Sequence, residues 1–272
     1  MIGPRVGLRV GPKAGPAAGP GADEIGSSGT DPMAGVSRDS TSGKYVPATA
    51  GQWTTTLSVA GIGSGNPSAT WLMNEGAGPT LADSVGAFPL TAAGTVSYGN
   101  AESGWTRLFV GTSDGVAGSW SSTDAALPDL ASGDVLLLVY GNITATPGGT
   151  RSLSELGVTV PSQVRGTITP RVQGRCGGNT ALGGVSMTAA VRPYILKFDR
   201  TNTLCKVYTD QEIVTPAFDA TSAGKRVVVG GLVNVPMANR YGYGAMFTGA
   251  AARLSDANVR SLLQTLSWTI PW

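Results

Sequence analysis

From residue 53 onward, short runs of β-branched, aromatic and aliphatic residues recur along the chain, each closed by Gly, Asn, Asp or Pro. WTTTLSVAGI (53–62) and ATWLMN (69–74) open the series. PLTAAGTVSYG (89–99), TRLFVG (106–111), GSWSS (118–122), DVLLLVYGNI (134–143) and RGTITPRV (165–172) continue it. SMTAAVRPYILKFDR (186–200), LCKVYTD (204–210) and KRVVVGGL (225–232) complete it. Short apolar runs separated by turn residues are the pattern of strands. Without helical segments between them they predict two packed antiparallel sheets rather than βαβ units. LLLVYG and RVVVGG are unbroken, as expected of central strands covered on both faces. One helix is predicted, late in the chain. Ser255 is a good N-cap, Asp256 suits the first turn, and Ala257, Val259, Leu262, Leu263 and Leu266 repeat at helical spacing.

The front of the chain has a different texture. Glycine falls at 3, 7, 11, 15 and 19, usually before a proline, and Arg5, Arg9 and Lys13 share the four-residue beat. Collagen needs glycine at every third position, so a triple helix is excluded. Proline fixes φ and removes a donor while glycine loosens the chain, so an extended segment without its own core is predicted. Two readings are open: a floppy linker, or an assembly arm laid along a neighbouring protein and pinned by Arg5, Arg9 and Lys13. Residues 22–52 read as a connector with apolar anchors at Ile25, Met33, Val36, Tyr45 and Val46. The organisation expected is an arm and linker over 1–52 and one β domain over 53–272.

Composition narrows the function. Of 272 residues only 13% are charged, with a net charge of +2, which points to neither a nucleic-acid partner nor a membrane surface. No apolar run of about 18 residues is present, so no membrane helix is expected. No apolar signal region is read at the front. Cys176 and Cys205 are too few for a disulfide framework; free buried thiols are expected, with a single bridge as the alternative.

The order of motifs resembles a known family. ATWLMNEGAG, then ADSVG and PLTAAGTVSYG, is similar to the opening of laminin-G-like, concanavalin A-like domains. VRPYILKFDRTNTLCKVYTDQEIV resembles their central strand pair. RVVVGGL with YGAMFTGAAARLSDANVRSLLQ resembles their closing strand and short helix, through Phe247, Gly249, Leu254, Ser255 and Asp256. The resemblance implies an all-β, concanavalin A-like jelly-roll sandwich with an extended N-terminal arm and one short C-terminal helix. The usual acid of the closing strand is replaced by Ala250–Ala252. The Gly-Pro-Arg-Val units resemble those of tailed-bacteriophage structural proteins, in which a thin segment anchors a projecting β domain.

Catalytic chemistry has little to work with. The chain has no histidine, which removes Ser-His-Asp and Cys-His arrangements and His-based metal sites. A retaining glycosidase needs two carboxylates about 5 Å apart. The nearest candidate is Asp210-Gln211-Glu212, read as a hairpin tip; Asp199 and Asp210 have no second acid beside them. Cys176 has a basic neighbour but no base. GIGSGN (61–66) has no helix after it, so no phosphate loop is implied. No enzyme activity and no cofactor are expected. Calcium, a habit of the resembled family, would draw on Asp83, Asp114, Asp124 and Asn142. A glycan would stack on Trp105, Trp120, Tyr241 and Tyr243, unless these rings are core.

The resulting expectation is a virion structural protein of the capsid-decoration or head-fibre type. A tail-fibre or adhesin protein is the alternative, and a depolymerase comes third. Its partners would be other virion proteins, the major capsid protein first, further copies of itself, and host-surface glycan. Assembly would take place in the host cytoplasm.

Overall fold

The computed structural model describes residues 32–39, 42–63, 65–86, 88–101, 108–113, 115–169, 171–187, 189–231 and 238–272. The expectations for Arg5, Arg9, Lys13, Ile25, Trp105 and Asp114 lie outside them.

In chain order, helix α1 (Ala50–Val59) precedes strands β1 (Ala69–Trp71), β2 (Thr80–Leu81), β3 (Leu90–Gly94), β4 (Val96–Ala101), β5 (Leu108–Thr112) and β6 (Gly118–Ser122). Then come β7 (Val135–Ile143), β8 (Arg151–Leu156), β9 (Ser162–Gly166), β10 (Arg171–Cys176), β11 (Asn179–Ser186), β12 (Arg192–Asp199) and β13 (Leu204–Tyr208). β14 (Ile213–Val214), β15 (Val227–Gly231), β16 (Asn239–Thr248), a 3-10 turn (Gly249–Ala252) and helix α2 (Asp256–Thr265) close the chain.

These strands build two eight-stranded sheets in which every strand pairing is antiparallel. The first runs β14-β13-β12-β7-β16-β5-β4, with β1 also paired to β16; the second runs β11-β10-β9-β8-β15-β6-β3-β2. The fold is the expected all-β, concanavalin A-like jelly-roll sandwich. The chain changes sheet between β3 and β4 at Gly94, whose φ is +69°. A Cβ there would lie 2.2 Å from the Ala117 carbonyl oxygen, so only glycine fits this corner.

Strand alternation explains why β7 is apolar throughout. Val135, Leu137 and Val139 point between the sheets, towards Val164, Val227 and Val229 of the second sheet. Leu136, Leu138 and Tyr140 point the other way, into a second core. That second core lies on the outer face of the first sheet. It takes Tyr243, Ala245 and Phe247 from β16, Trp53 and Leu57 from α1, and Val259, Leu262 and Leu263 from α2.

Two expectations are corrected here. WTTTLSVAGI does not form a strand; it contributes to α1, so the chain has two α-helices among the described residues. Thr49 caps α1 through its hydroxyl, which accepts from Gln52 N. Thr54, Thr55 and Thr56 donate their hydroxyls to the carbonyls of Ala50, Gly51 and Gln52, four residues back. Trp53, Leu57 and Ala60 face the second core. Trp53 Nε1 donates to Thr70 Oγ1 at 2.9 Å and its ring meets Phe247 edge-on at 5.3 Å. Burial of that face outweighs the strand preference of the threonines. The domain boundary also moves forward from 53. Met33, Val36, Tyr45 and Val46 are buried in the second core. An isolated bridge joins Arg38 to Tyr45, and Pro47 accepts from the Tyr243 hydroxyl.

The first sheet therefore carries a second layer of its own, while on the outer face of the second sheet the central residues Val228, Glu155 and Gln163 are buried and exposure rises towards β11. Residues 33–62 and 249–270 both supply the outer cover of the first sheet.

Candidate functional site: the outer face of the second sheet

The face opposite that cover is built by alternation within β9 and β10. In SQVRG, Val164 turns inward; in RVQGRC, Val172 and Cys176 do so. Gln163 and Arg165 on β9, with Arg171, Gln173 and Arg175 on β10, are thereby sent outward. Register sets Gln163 beside Arg175 and Arg165 beside Gln173. On β11, Thr180 stands opposite Arg175 and Leu182 opposite Gln173, and both are exposed.

One amide oxygen organises the group. Gln163 Oε1 accepts from Arg165 Nε at 2.7 Å and from Arg175 Nη1 at 3.2 Å. Its Nε2 donates to Ser152 Oγ at 3.3 Å, which fixes which end of the amide faces the arginines. Arg175 Nε is anchored on the Gly177 carbonyl. Gln163 is fully buried, while both arginines are half-buried. Burial, and then the neighbouring Arg175 charge, push the Arg165 pKa down to about 10; Glu155 on β8 acts in the opposite direction. Among the described residues no carboxylate bonds either guanidinium, and the Arg165 Nη groups meet no protein acceptor. Arg171 adds a third, exposed cation at the far end of β10.

The rings singled out in the sequence are elsewhere. Trp120 and Tyr241 meet edge-on at 6.4 Å in the core between the sheets, and Tyr243 lies in the second core; none has exposed surface. A buried ring offers a sugar no face, so these three are corrected as a stacking platform. Burial also raises the Tyr241 hydroxyl to about 12.

The acids are spent on structure. Arg192 Nη1 lies 2.8 Å from both Asp210 oxygens, and Glu212 accepts from the backbone of Gly184 and Val185, so the two carboxylates hold separate partners. Asp199 faces Lys197 at 3.2 Å, both buried. Asp83 accepts four backbone N–H groups, from Thr70, Val85, Gly86 and Phe88. Asp124 accepts from Ala126 N. Asn142, on β7, is buried and donates to the Ala189 carbonyl. A calcium ion would have to displace these bonds. Among the described residues no group of three or more acids and cysteines forms a metal cluster.

Cys176 and Cys205 are free and buried, one on each sheet. Their side chains share a hydrogen bond, which pushes Cys176 down and Cys205 up from the usual thiol range. Asp219 N donates to Cys176 Sγ at 3.3 Å. Arg175 is adjacent in sequence, but alternation turns its side chain to the opposite face of β10.

These features define a concanavalin A-like sandwich with a polar, arginine-bearing outer face. No family model and no curated protein sequence matches the chain. Among solved structures, it is similar to the Trypanosoma rangeli sialidase in complex with 2,3-difluorosialic acid as a covalent intermediate. That match has 14% identity and a TM-score of 0.56, over 79% of this chain and 37% of that one. The same sialidase with a difluoro-KDN ligand matches at 13% identity and a TM-score of 0.55, over 75% and 33%. Domain 4 of a GH43 extracellular arabinanase from Geobacillus stearothermophilus, in complex with arabinotriose, matches at 16% identity and a TM-score of 0.49, over 72% and 97%. The chain spans about a third of the length of the sialidase structures. At these identities the likeness shows the fold. It corrects the expectation that this chain is not an enzyme: a fold that occurs within sialidase chains is no ground for setting it outside the enzymes, with or without histidine.

Proposed function

We propose that this chain is a glycan-recognising module of a virion surface, anchored through its N-terminal arm, with the outer face of β9–β11 turned away from the anchor. The observation that carries the reading is where the two end segments of the described chain pack. The segment that follows the arm, residues 33–62, packs on the outer face of the first sheet together with the C-terminal segment. The β9–β11 face lies on the opposite side of the sandwich. An assembly gripping the arm would meet the covered side and leave the arginine face open to ligand. The fold adds support, since the Trypanosoma rangeli sialidase that shares it takes sialic acid and a difluoro analogue as ligands. Sugar contacts here would come from guanidinium and amide donors, with Leu182 as an apolar neighbour. Many copies on one particle would turn individually weak contacts into avidity.

The test combines location with binding. Antibody against the chain should label purified particles. Antibody blocking the β9–β11 face should abolish adhesion to immobilised host polysaccharide, while antibody against α2 should not. Particles without the chain, or adhesion indifferent to both antibodies, would overturn the reading.

A further inference from the structure

We propose that the β9–β11 face selects acidic polysaccharide, binding sugar carboxylates through Arg165 and Arg175 with Arg171 extending the site. The inference rests on the glycan reading above and deepens it by naming the charge of the ligand.

Its basis is the uneven satisfaction of two neighbouring cations. Arg165 and Arg175 approach the same neutral acceptor, Gln163 Oε1, at 2.7 and 3.2 Å. A carboxylate would be the ordinary partner for paired guanidinium groups, because its two oxygens match their planar fork. Here an amide stands in that place, held by Ser152 so that its oxygen faces the arginines. The nearby acids do not fill the role. Glu155 opposes the downward push on Arg165 but is outweighed by burial and by Arg175. Asp219, whose charge Arg175 also feels, is taken up by Gly178 N, Thr221 N and the Thr221 hydroxyl. The Nη groups of Arg165 are left to an external acceptor.

The spacing suits a repeating anion. Successive outward residues on a strand lie roughly 7 Å apart, so Arg175 and Arg171 on β10 are separated by about 13 Å. Arg165, opposite Gln173, falls between them on the adjacent strand. Thr180 and Leu182 border the row with a hydroxyl and an apolar surface for the sugar ring. The row is cationic although the whole chain carries only +2. Local charge, rather than net charge, would give the selectivity.

The experiment uses the full chain and four immobilised probes: polygalacturonate, its methyl ester, dextran and dextran sulfate. Tight binding to polygalacturonate is expected, with at least a tenfold loss on methyl esterification and steep weakening by salt. Arg165→Gln with Arg175→Gln should lose at least tenfold towards polygalacturonate alone, with an unchanged melting temperature. Arg165→Lys with Arg175→Lys keeps the charge and removes the fork, and should fall between the two. This second pair also tests the proposal if the glutamine variant does not fold. Equal binding of polygalacturonate and its ester would overturn the carboxylate assignment while leaving glycan recognition standing. Preference for dextran sulfate over polygalacturonate would overturn it as well. Failure to bind any of the four probes, together with no adhesion to host polysaccharide, would overturn both readings.

Discussion

At the level of single residues, Asp134 and Asp256 are each tied to several partners, and this sets the response to acid. Asp134 is buried and accepts from Thr201 N, Thr201 Oγ1 and Arg253 Nε. Burial works to raise its pKa, but these bonds outweigh burial and hold it below the usual carboxylate value. Asp256 behaves alike: burial pushes it up, and Lys206 and Tyr208 bring it down further. A carboxyl depressed in the folded state contributes stability that is present above its unfolded pKa, near 3.9, and is lost as pH falls through the folded value. Thermal melts should therefore be level from neutral pH down to about 4 and fall steeply below it. Asp134→Asn should flatten that acid limb and cost about 2 kcal/mol at pH 7, read by denaturant titration. The thiol pair gives a second expectation. A disulfide reagent such as DTNB should leave both cysteines untouched in the native protein and titrate two thiols per chain after unfolding. Rapid labelling of the native protein would show that the sandwich opens at that end.

At the level of elements, legibility followed how directly periodicity reports burial. LLLVYG reads as a strand covered on both faces, and β7 is that strand, because an unbroken apolar run has no polar face to show water. The Ser255 cap and its Val259, Leu262, Leu263 face were legible for the same reason. The failures have physical causes as well. In α1, three threonines carry a β signal, while the helical face is held by the distant Thr70 and Phe247, which no local window contains. Trp53→Ala should cost about 3–5 kcal/mol in denaturant titrations, the usual range for emptying a buried aromatic site. A cost under 1 kcal/mol would mean that α1 is a passive cover. The aromatic candidates failed because a ring in a Gly-rich string such as RYGYG reads as exposed loop, whereas β16 runs through the middle of the first sheet. The arginine face was missed although its signal was there. In SQVRG and RVQGRC the charged and amide residues alternate with apolar or small ones, the pattern of a strand pair with one polar face.

At the level of the whole molecule, both ends of the described chain pack on the outer face of the first sheet, opposite the β9–β11 face. A bulky partner fused before residue 1 should leave polysaccharide binding unchanged. A maleimide polymer attached at Leu182→Cys should block it. Plate binding of the two preparations side by side distinguishes this arrangement from one in which the arm side meets the ligand.

The same arrangement sets how the molecule bears load. If a tethered particle drags on the N-terminal arm while the β9–β11 face holds its ligand, tension would enter through residues 33–48. There the bridge between Arg38 and Tyr45, the Pro47 contact and the buried Met33, Val36 and Val46 take the first strain. Those attachments lie on top of the first sheet rather than within its hydrogen-bonded ladder. Under pulling they should peel one after another at low force and lengthen the tether, while the strands of both sheets stay folded. Such a segment would act as a shock absorber, spending extension before the proposed binding face feels the jerk.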